Sequence, residues 1–374
     1  MIFFVFYYLF LLWYGVYLSF CSVEVEAIEK LPWLRELITL SVSFFGKNDL
    51  ALRFPQILVS FFSLLLFFSI AKKVLKKDFL FATIIFALIP GFIISSLIIN
   101  KSIYILFLVL LFIRVYLFNP YLSYFLLVLY SVLDGSFIVL YVGILFYAIY
   151  KKDNFLLVLA LILLMVNANY FNYKIGGKPR GYFLDVFFVY TLIFSPFVFF
   201  YFIYSIYKAF FYKKDVIFFI SSTALIISFL FSFRQRIKID DYAPFVLPYV
   251  IWMIKIFFNS YRVRLPRFRR GYKVLFVVLF GSLILFDITL FLNYLTPARK
   301  ISNEFYFIKP LAAKLKTYNL KVRCNNESIC KSLYFYGVKR GDLYLNYSKS
   351  KKSVTILKGD NVLMEFNVSK LNTF

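Results

Sequence analysis

The chain of 374 residues and 44.4 kDa is 62% hydrophobic and 23% aromatic, with a mean hydropathy of +0.81; water-soluble domains are ordinarily about 45–50% apolar, so much of this surface meets a solvent other than water. It carries 43 Lys and Arg against 18 Asp and Glu, a net charge of +25, and no histidine, which excludes serine–histidine triads and histidine-ligated metal centres. Three cysteines, Cys21, Cys324 and Cys330, are too few for a four-cysteine zinc site, so any chemistry falls to carboxylates, Lys, Arg, Tyr, Asn and the backbone.

Apolar runs of about 18 residues read as membrane crossings. Eleven are expected, at roughly 2–21, 54–71, 79–99, 102–118, 121–134, 136–150, 154–169, 183–207, 216–233, 244–258 and 274–295, with those in 121–150 short. The first has no basic n-region and no small-residue cleavage site, so it reads as a retained span. With the N-terminus inside, the inner loops and adjoining span ends hold seventeen Lys/Arg against three acids, Asp78, Asp153 and Asp215. The outer loops before residue 296 hold eleven against eight. That asymmetry fits an N-in, C-out, multi-pass membrane protein. The basic run 259–273 falls on the inner side as an anchor for anionic lipid, and nucleic acid drops out as a partner.

The first outer loop places Glu24, Glu26 and Glu29 within six residues directly after the first span. A carboxylate there is a candidate general base, against the plainer reading of a solvated acidic turn. Leu34–Phe45 is amphipathic enough to lie along the membrane surface. The outer loop 169–185 joins Gly176-Gly177 to Lys178 and Arg180 among aromatics, a composition suited to phosphate oxygens beside a sugar or isoprenoid. In Arg234-Gln-Arg236-Ile-Lys238-Ile-Asp240-Asp241, cations two residues apart share one side of an extended chain, a candidate clamp for a diphosphate or generic anionic lipid. Asp134, Lys101 and Asp287 fall at or near span boundaries, where an ionisable group is a functional candidate.

From about residue 296 the composition changes, and the chain divides into 1–295, membrane domain, and 296–374, a small extracytoplasmic α/β domain. A helix is expected over Leu311–Tyr318. Strands are expected at Leu320–Cys324, Ser332–Tyr336, Leu343–Tyr347, Val354–Leu357 and Val362–Val368. Cys324 and Cys330 close a short loop that an oxidising compartment allows to form a disulfide, though spacing alone does not establish one.

Phe44-Phe-Gly46-Lys-Asn-Asp49-Leu-Ala-Leu-Arg53-Phe-Pro55-Gln, followed by Ile89-Pro90-Gly91, resembles the opening of family 39 membrane glycosyltransferases, which contain protein O-mannosyltransferases and lipid A aminoarabinose transferases. Gly177-Lys-Pro-Arg-Gly-Tyr-Phe-Leu-Asp185, Arg234-Gln-Arg236 and Asp241-Tyr-Ala-Pro244 are similar to a bacterial branch, as are Leu311–Tyr318 and Tyr334-Phe-Tyr336-Gly337. The resemblance implies an all-α polytopic C-type fold and transfer of a sugar from a polyprenyl-phosphate donor to an extracytoplasmic lipid, glycan or protein. The family's acidic pair falls on Val25-Glu26 or is displaced onto Glu24, and its histidine–proline element is absent. The implied base is Glu24 or Glu26; Arg234, Arg236, Lys238, Lys178, Arg180 and Asp241 are implied at the donor phosphate. No cofactor is required by the sequence, although the first-loop carboxylates leave a divalent cation open. A transporter, flippase or non-catalytic binder of a lipid-linked anion is the rival reading, against which the lack of an internal repeat argues mildly.

Overall fold

The computed structural model describes residues 2–172, 181–292, 304–348, 353–358 and 361–367. In chain order the first helices are α1 (Ile2–Tyr17), α2 (Ser22–Lys30), α3 (Pro32–Phe45), α4 (Asp49–Leu75), α5 (Phe79–Ala87) and α6 (Pro90–Leu97). Next come α7 (Ser102–Phe118), α8 (Pro120–Tyr130), α9 (Ile138–Lys151), α10 (Asn154–Tyr170), α11 (Phe183–Phe194) and α12 (Pro196–Ala209). The last are α13 (Val216–Ser232), α14 (Ala243–Val246), α15 (Val250–Val263), α16 (Arg269–Leu292), α17 (Glu304–Thr317) and α18 (Glu327–Phe335). Strands β1 (Val322–Cys324), β2 (Leu343–Ser348), β3 (Ser353–Lys358) and β4 (Asn361–Asn367) complete a mostly helical chain with one small C-terminal sheet.

Among the described residues, Asp49–Leu75, Ala243–Val263 and Pro266–Leu292 are long and apolar enough to cross a bilayer. Three bent pairs bring the number to six: α1 with α2 (104°), α5 with α6 (55°) and α11 with α12 (104°). Helices α7, α8, α10 and α13, and α9 with the turn before it, are apolar but have 17 residues or fewer. The apolar runs 79–99 and 183–207 are each broken at a proline, Pro90 and Pro196, whose ring removes a backbone donor. Ser195, before the second of these, takes a φ of +66°, which turns the chain where a helix would continue.

The described residues pack as two compact units. One comprises Met1–Leu58, Leu97–Asn100 and Ile288–Phe374; the other comprises Val59–Ser96 and Lys101–Asp287. In the second, α9, α10 and α13 pack side by side. Gly143 lets α9 and α13 approach so closely that an added Cβ would lie 2.9 Å from Ile220 Cα and 2.9 Å from Thr223 Oγ1, the small-residue contact that apolar helices use in place of hydrophobic driving force. Asp215 caps α13 through the Phe218 amide (3.1 Å) and accepts the Trp252 indole N–H at 2.6 Å, tying α13 to α15.

In the first unit the sheet order is β1-β2-β3-β4, with β1 parallel to β2 and the rest antiparallel. Parallel pairing needs a crossover, and α18 supplies it. The expected strand at Ser332–Tyr336 is therefore corrected: those residues fall largely in α18, where Asn326 accepts the Ser328 amide (3.0 Å) and Ile329 and Leu333, four apart, are buried. The other four strands form as expected, within a few residues at their ends, and the helix expected at 311–318 is the second half of α17, which begins seven residues earlier at Glu304. Cys324 and Cys330 are joined in a disulfide. The core of this domain is built from Phe307, Ile308, Leu311, Val322, Leu333, Leu345 and Ile356, and it contains Cys21 from the segment between α1 and α2. Composition divides the chain at 295/296; packing groups the C-terminal domain with the first three helices and the start of α4.

Gly143→Val forces a branched side chain into the α9–α13 contact and is expected to cost about 1–3 kcal/mol. Gly281→Val, where nothing lies within 4 Å of an added Cβ, is expected to be neutral. Thermal unfolding of the two variants in detergent checks this, and equal midpoints would contradict the packing.

Candidate functional site

Glu24 occupies the third position of α2, directly after the turn in which the chain leaves α1. Its carboxylate reaches back to the Cys21 amide (Oε2, 3.2 Å), the reciprocal half of a capping box. The backbone of that turn is held by the C-terminal domain: the Ser19 amide donates to Phe305 O at 2.7 Å and the Phe20 amide to the Tyr336 hydroxyl at 2.7 Å. With Cys21 wholly buried in that domain's core, the start of α2 has one position.

The partner of Glu24 comes from α4. Asn48 caps this helix through the Ala51 amide (2.6 Å). Pro55, one turn further on, has no N–H for the Ala51 carbonyl, and Ser41 Oγ donates to it instead at 2.6 Å, which locks α3 to α4. Arg53 then points inward: Nη2 donates to Glu24 Oε2 at 2.9 Å, to Glu24 Oε1 at 3.2 Å and to Ser19 O at 3.1 Å. The Ile99 amide completes the carboxylate at 3.1 Å. Both side chains of the pair are fully buried. Burial pushes the Glu24 carboxyl above the usual carboxylate range, against the opposing pull of Arg53 and of the Ile99 and Cys21 amides.

A second acid braces this pair. Asp49, at the start of α4, lies 2.7 Å from Lys309 Nζ of α17 and accepts the Tyr336 hydroxyl. Tyr336 thus touches both strands of the arrangement, the Phe20 amide leading to Glu24 and the Asp49 carboxylate one turn before Arg53. Gln56 is wholly buried, and among the described residues neither atom of its amide has a hydrogen-bond partner. Such an orphan calls for an occupant.

The remaining sequence candidates are placed differently. Glu26 lies on the outside of α2 in an i,i+4 pair with Lys30 at 3.0 Å, a contact of little energetic weight. Lys178 and Arg180 lie outside the described residues. Arg234, Arg236 and Lys238 follow α13, Arg234 in the turn that ends it and Arg236 and Lys238 in the irregular segment beyond; all three are exposed, while Gln235 and Ile237 between them are half-buried. Among the described residues none of the three enters an ion pair. Asp241 is committed inward, its Oδ1 2.6 Å from Lys101 Nζ, which also donates to both oxygens of Asp134 at 2.9 and 3.1 Å. Ser102 Oγ donates to Asp240 at 2.9 Å beside them. Burial works against the Lys101 charge, yet Asp241 and Asp134 outweigh it and hold its pKa above the ordinary value. The two acids split: burial raises Asp241, whereas Lys101 and the Ser136 amide overcome burial at Asp134 and lower it. Among the described residues no group of three or more carboxylate or thiol side chains is placed to hold a metal ion.

Sequence reasoning quoted Arg53, Asp49, Gln56 and Tyr336 without giving them roles. The buried Arg-x-Pro-Gln run in an otherwise apolar helix is the signal that marks Arg53 and Gln56; Asp49 and Tyr336 have none at the level of sequence.

Arg53→Met is expected to destabilise the protein by about 3–5 kcal/mol, because it strands a buried carboxylate. The double variant Glu24→Leu, Arg53→Met is expected to recover most of that loss. Denaturant unfolding of the single and double variants in detergent measures the coupling; additive losses would refute the pair. Compared with known protein families, curated proteins and solved structures, the chain finds no match.

Proposed function

We propose that this protein is a membrane glycosyltransferase that moves a sugar from a polyprenyl-phosphate donor to an extracytoplasmic lipid, glycan or protein, with the eleven-span, N-in and C-out arrangement expected from its sequence. One observation carries the reading: the first-loop acid Glu24, where the resemblance to family 39 enzymes would displace the base, and Arg53 of the Arg-x-Pro element that opens that resemblance meet in a fully buried ion pair.

The reading gives Glu24 the role of base. A base must be positioned and must hold protons more tightly than a solvated carboxylate. Arg53 and two amides supply the positioning, and burial supplies the basicity. Every Glu24 oxygen is already engaged, so taking a proton from an acceptor hydroxyl or amine requires exchanging one of these contacts for the acceptor. The unpartnered amide of Gln56, three residues past Arg53, is the kind of buried polar group that such an acceptor would satisfy. In the other unit the reading gives Arg234, Arg236 and Lys238 the donor phosphate. Exposed cations that enter no ion pair among the described residues are suited to neutralise a leaving phosphate, the main electrostatic contribution to such a transfer.

The test is mass spectrometry of envelope lipids and glycans from a deletion strain complemented with Glu24→Gln or Glu26→Gln at matched protein levels. Loss of product by about 10²–10⁴-fold is expected for Glu24→Gln and near-normal product for Glu26→Gln. Full complementation by Glu24→Gln would remove the base. A strain whose lipid-linked sugars accumulate on one leaflet, with no missing product, would point to a carrier instead. In membranes, the rate should rise with pH, since the base works deprotonated. The acid limb is expected above the ~4.3 of an ordinary glutamate.

A further inference from the structure

We propose that the C-terminal domain carries a binding site for a neutral, hydroxyl-rich ring, the chemistry of a sugar, in the hollow where β1 and β2 end beside the start of α18. The cavity there has a volume of about 300 Å³ and is lined by Asn325, Asn326, Ile329, Leu345, Asn346 and Tyr347, with Cys324 of the disulfide in its wall. That is the lower end of the range for small-molecule sites, ~300–1,000 Å³.

Topology places it. β1, α18 and β2 form a parallel βαβ unit, and crevices outside the carboxyl ends of such strands are where open α/β sheets receive ligands. The Asn325 amide donates to Leu345 O at 3.3 Å, just past the Cys324–Leu345 pair that ends the parallel ladder, so Asn325 follows the end of β1 beside Asn346, where β2 runs on against β3 alone.

Chemistry selects the ligand. Asn325, Asn326 and Asn346, whose carboxamides each carry two donors and an acceptor, border the hollow, and among the described residues no charged side chain lines it. The start of α18 does not call for an anion: Asn326 Oδ1 already takes the Ser328 amide at 3.0 Å, its carbonyl takes the Cys330 amide at 3.3 Å, and Glu327 stands in the first turn. A phosphate or an ammonium would find no counter-charge in the lining, whereas vicinal hydroxyls match paired amides. Ile329 and Leu345, 2% and 1% exposed, form an apolar floor, and Tyr347 is steadied by Phe307 with ring centroids 5.1 Å apart; such surfaces suit the C–H face of a pyranose. The disulfide closes the 324–330 loop, so less ordering is needed on binding. The site stands apart from the transferase reading, since a domain that only captures glycan would have it too.

The experiment uses the full-length protein in nanodiscs, because many detergents carry sugar headgroups. Saturation-transfer NMR and calorimetry are run with neutral methyl hexosides, with glucuronate and with inorganic phosphate. At least one neutral glycoside is expected to bind with Kd on the order of 1 mM, and the charged probes at least tenfold more weakly. Asn346→Leu and Asn325→Ala, both at exposed positions, are expected to weaken it at least tenfold with an unchanged thermal midpoint, and Glu24→Gln is expected to leave it intact. The proposal is overturned if no neutral glycoside binds, if both asparagine variants bind normally, if phosphate competes equally, or if Glu24→Gln abolishes binding, which would place the sugar elsewhere.

Discussion

The buried ion pair of Glu24 and Arg53 is the constraint from which the first unit's architecture follows. Taking two charges out of water costs several kcal/mol each, and their attraction offsets this only when every remaining lone pair and proton is met. Here the carboxylate receives Arg53 and the amides of Ile99 and Cys21, and the guanidinium also serves the carbonyls of Ser19 and Asp49, while Arg53 Nε is buried without a partner among the described residues. Those partners come from separate segments, residues 19–24, 49–53 and 97–100, so the pair forms only when all of them are in place. A replacement by well-packed apolar residues would be no less stable by that accounting. The retention of charge therefore needs a reason other than stability, and reactivity is the one the proposed chemistry supplies.

The C-terminal domain is part of this arrangement rather than an appendage. Its core holds Cys21, its Tyr336 ties Phe20 to Asp49, and its Lys309 neutralises Asp49. These contacts join residues roughly 260–320 positions apart in the chain. Contacts of that separation carry a loop-closure cost before they contribute anything, so the turn between α1 and α2 reaches its final form only after the end of the chain has been made. Until then Glu24 has no fixed place.

Much of this was readable in the amino-acid order, and the part that was not has a physical cause. Helix and strand periodicity located the C-terminal elements, because α17 and strands β1 to β4 each follow one period throughout. Ser332–Tyr336 misled because its alternating apolar residues fit either period; what decides it is Asn326 six residues earlier, a cap whose effect is local but lies outside the pattern window. The alternating exposure of Arg234, Arg236 and Lys238 follows their two-residue spacing, although the turn at Arg234 and Gln235 departs from the extended backbone that spacing suggests. The division of the apolar runs was less so: composition measures how apolar a run is, whereas Pro90 and Ser195-Pro196 decide whether it stays one helix. Of the site, the carboxylate was legible and its partner was not, since pairing across 29 residues depends on how α3 and α4 fold back, which the Ser41–Ala51 contact settles.

The distribution of the charges that are left uncompensated carries the last step. In the second unit Lys101 is shared by Asp134 and Asp241, with Asp240 held by Ser102 alongside, so that cluster has more acid than base and attracts no anion. Glu26 and Glu29 are met by Lys30 and Lys331 on the surface of the first unit. Arg234, Arg236 and Lys238 stand exposed within five residues after α13, and among the described residues none of them enters an ion pair. Three long cationic side chains so close in the chain repel each other, an arrangement that lowers in energy when a polyanion arrives. A chain without histidine has few ways to combine a proton acceptor with an anion site near neutral pH. The proposed chemistry divides the two requirements between different kinds of residue in different surroundings: a carboxylate buried against Arg53, and arginines and a lysine exposed after α13.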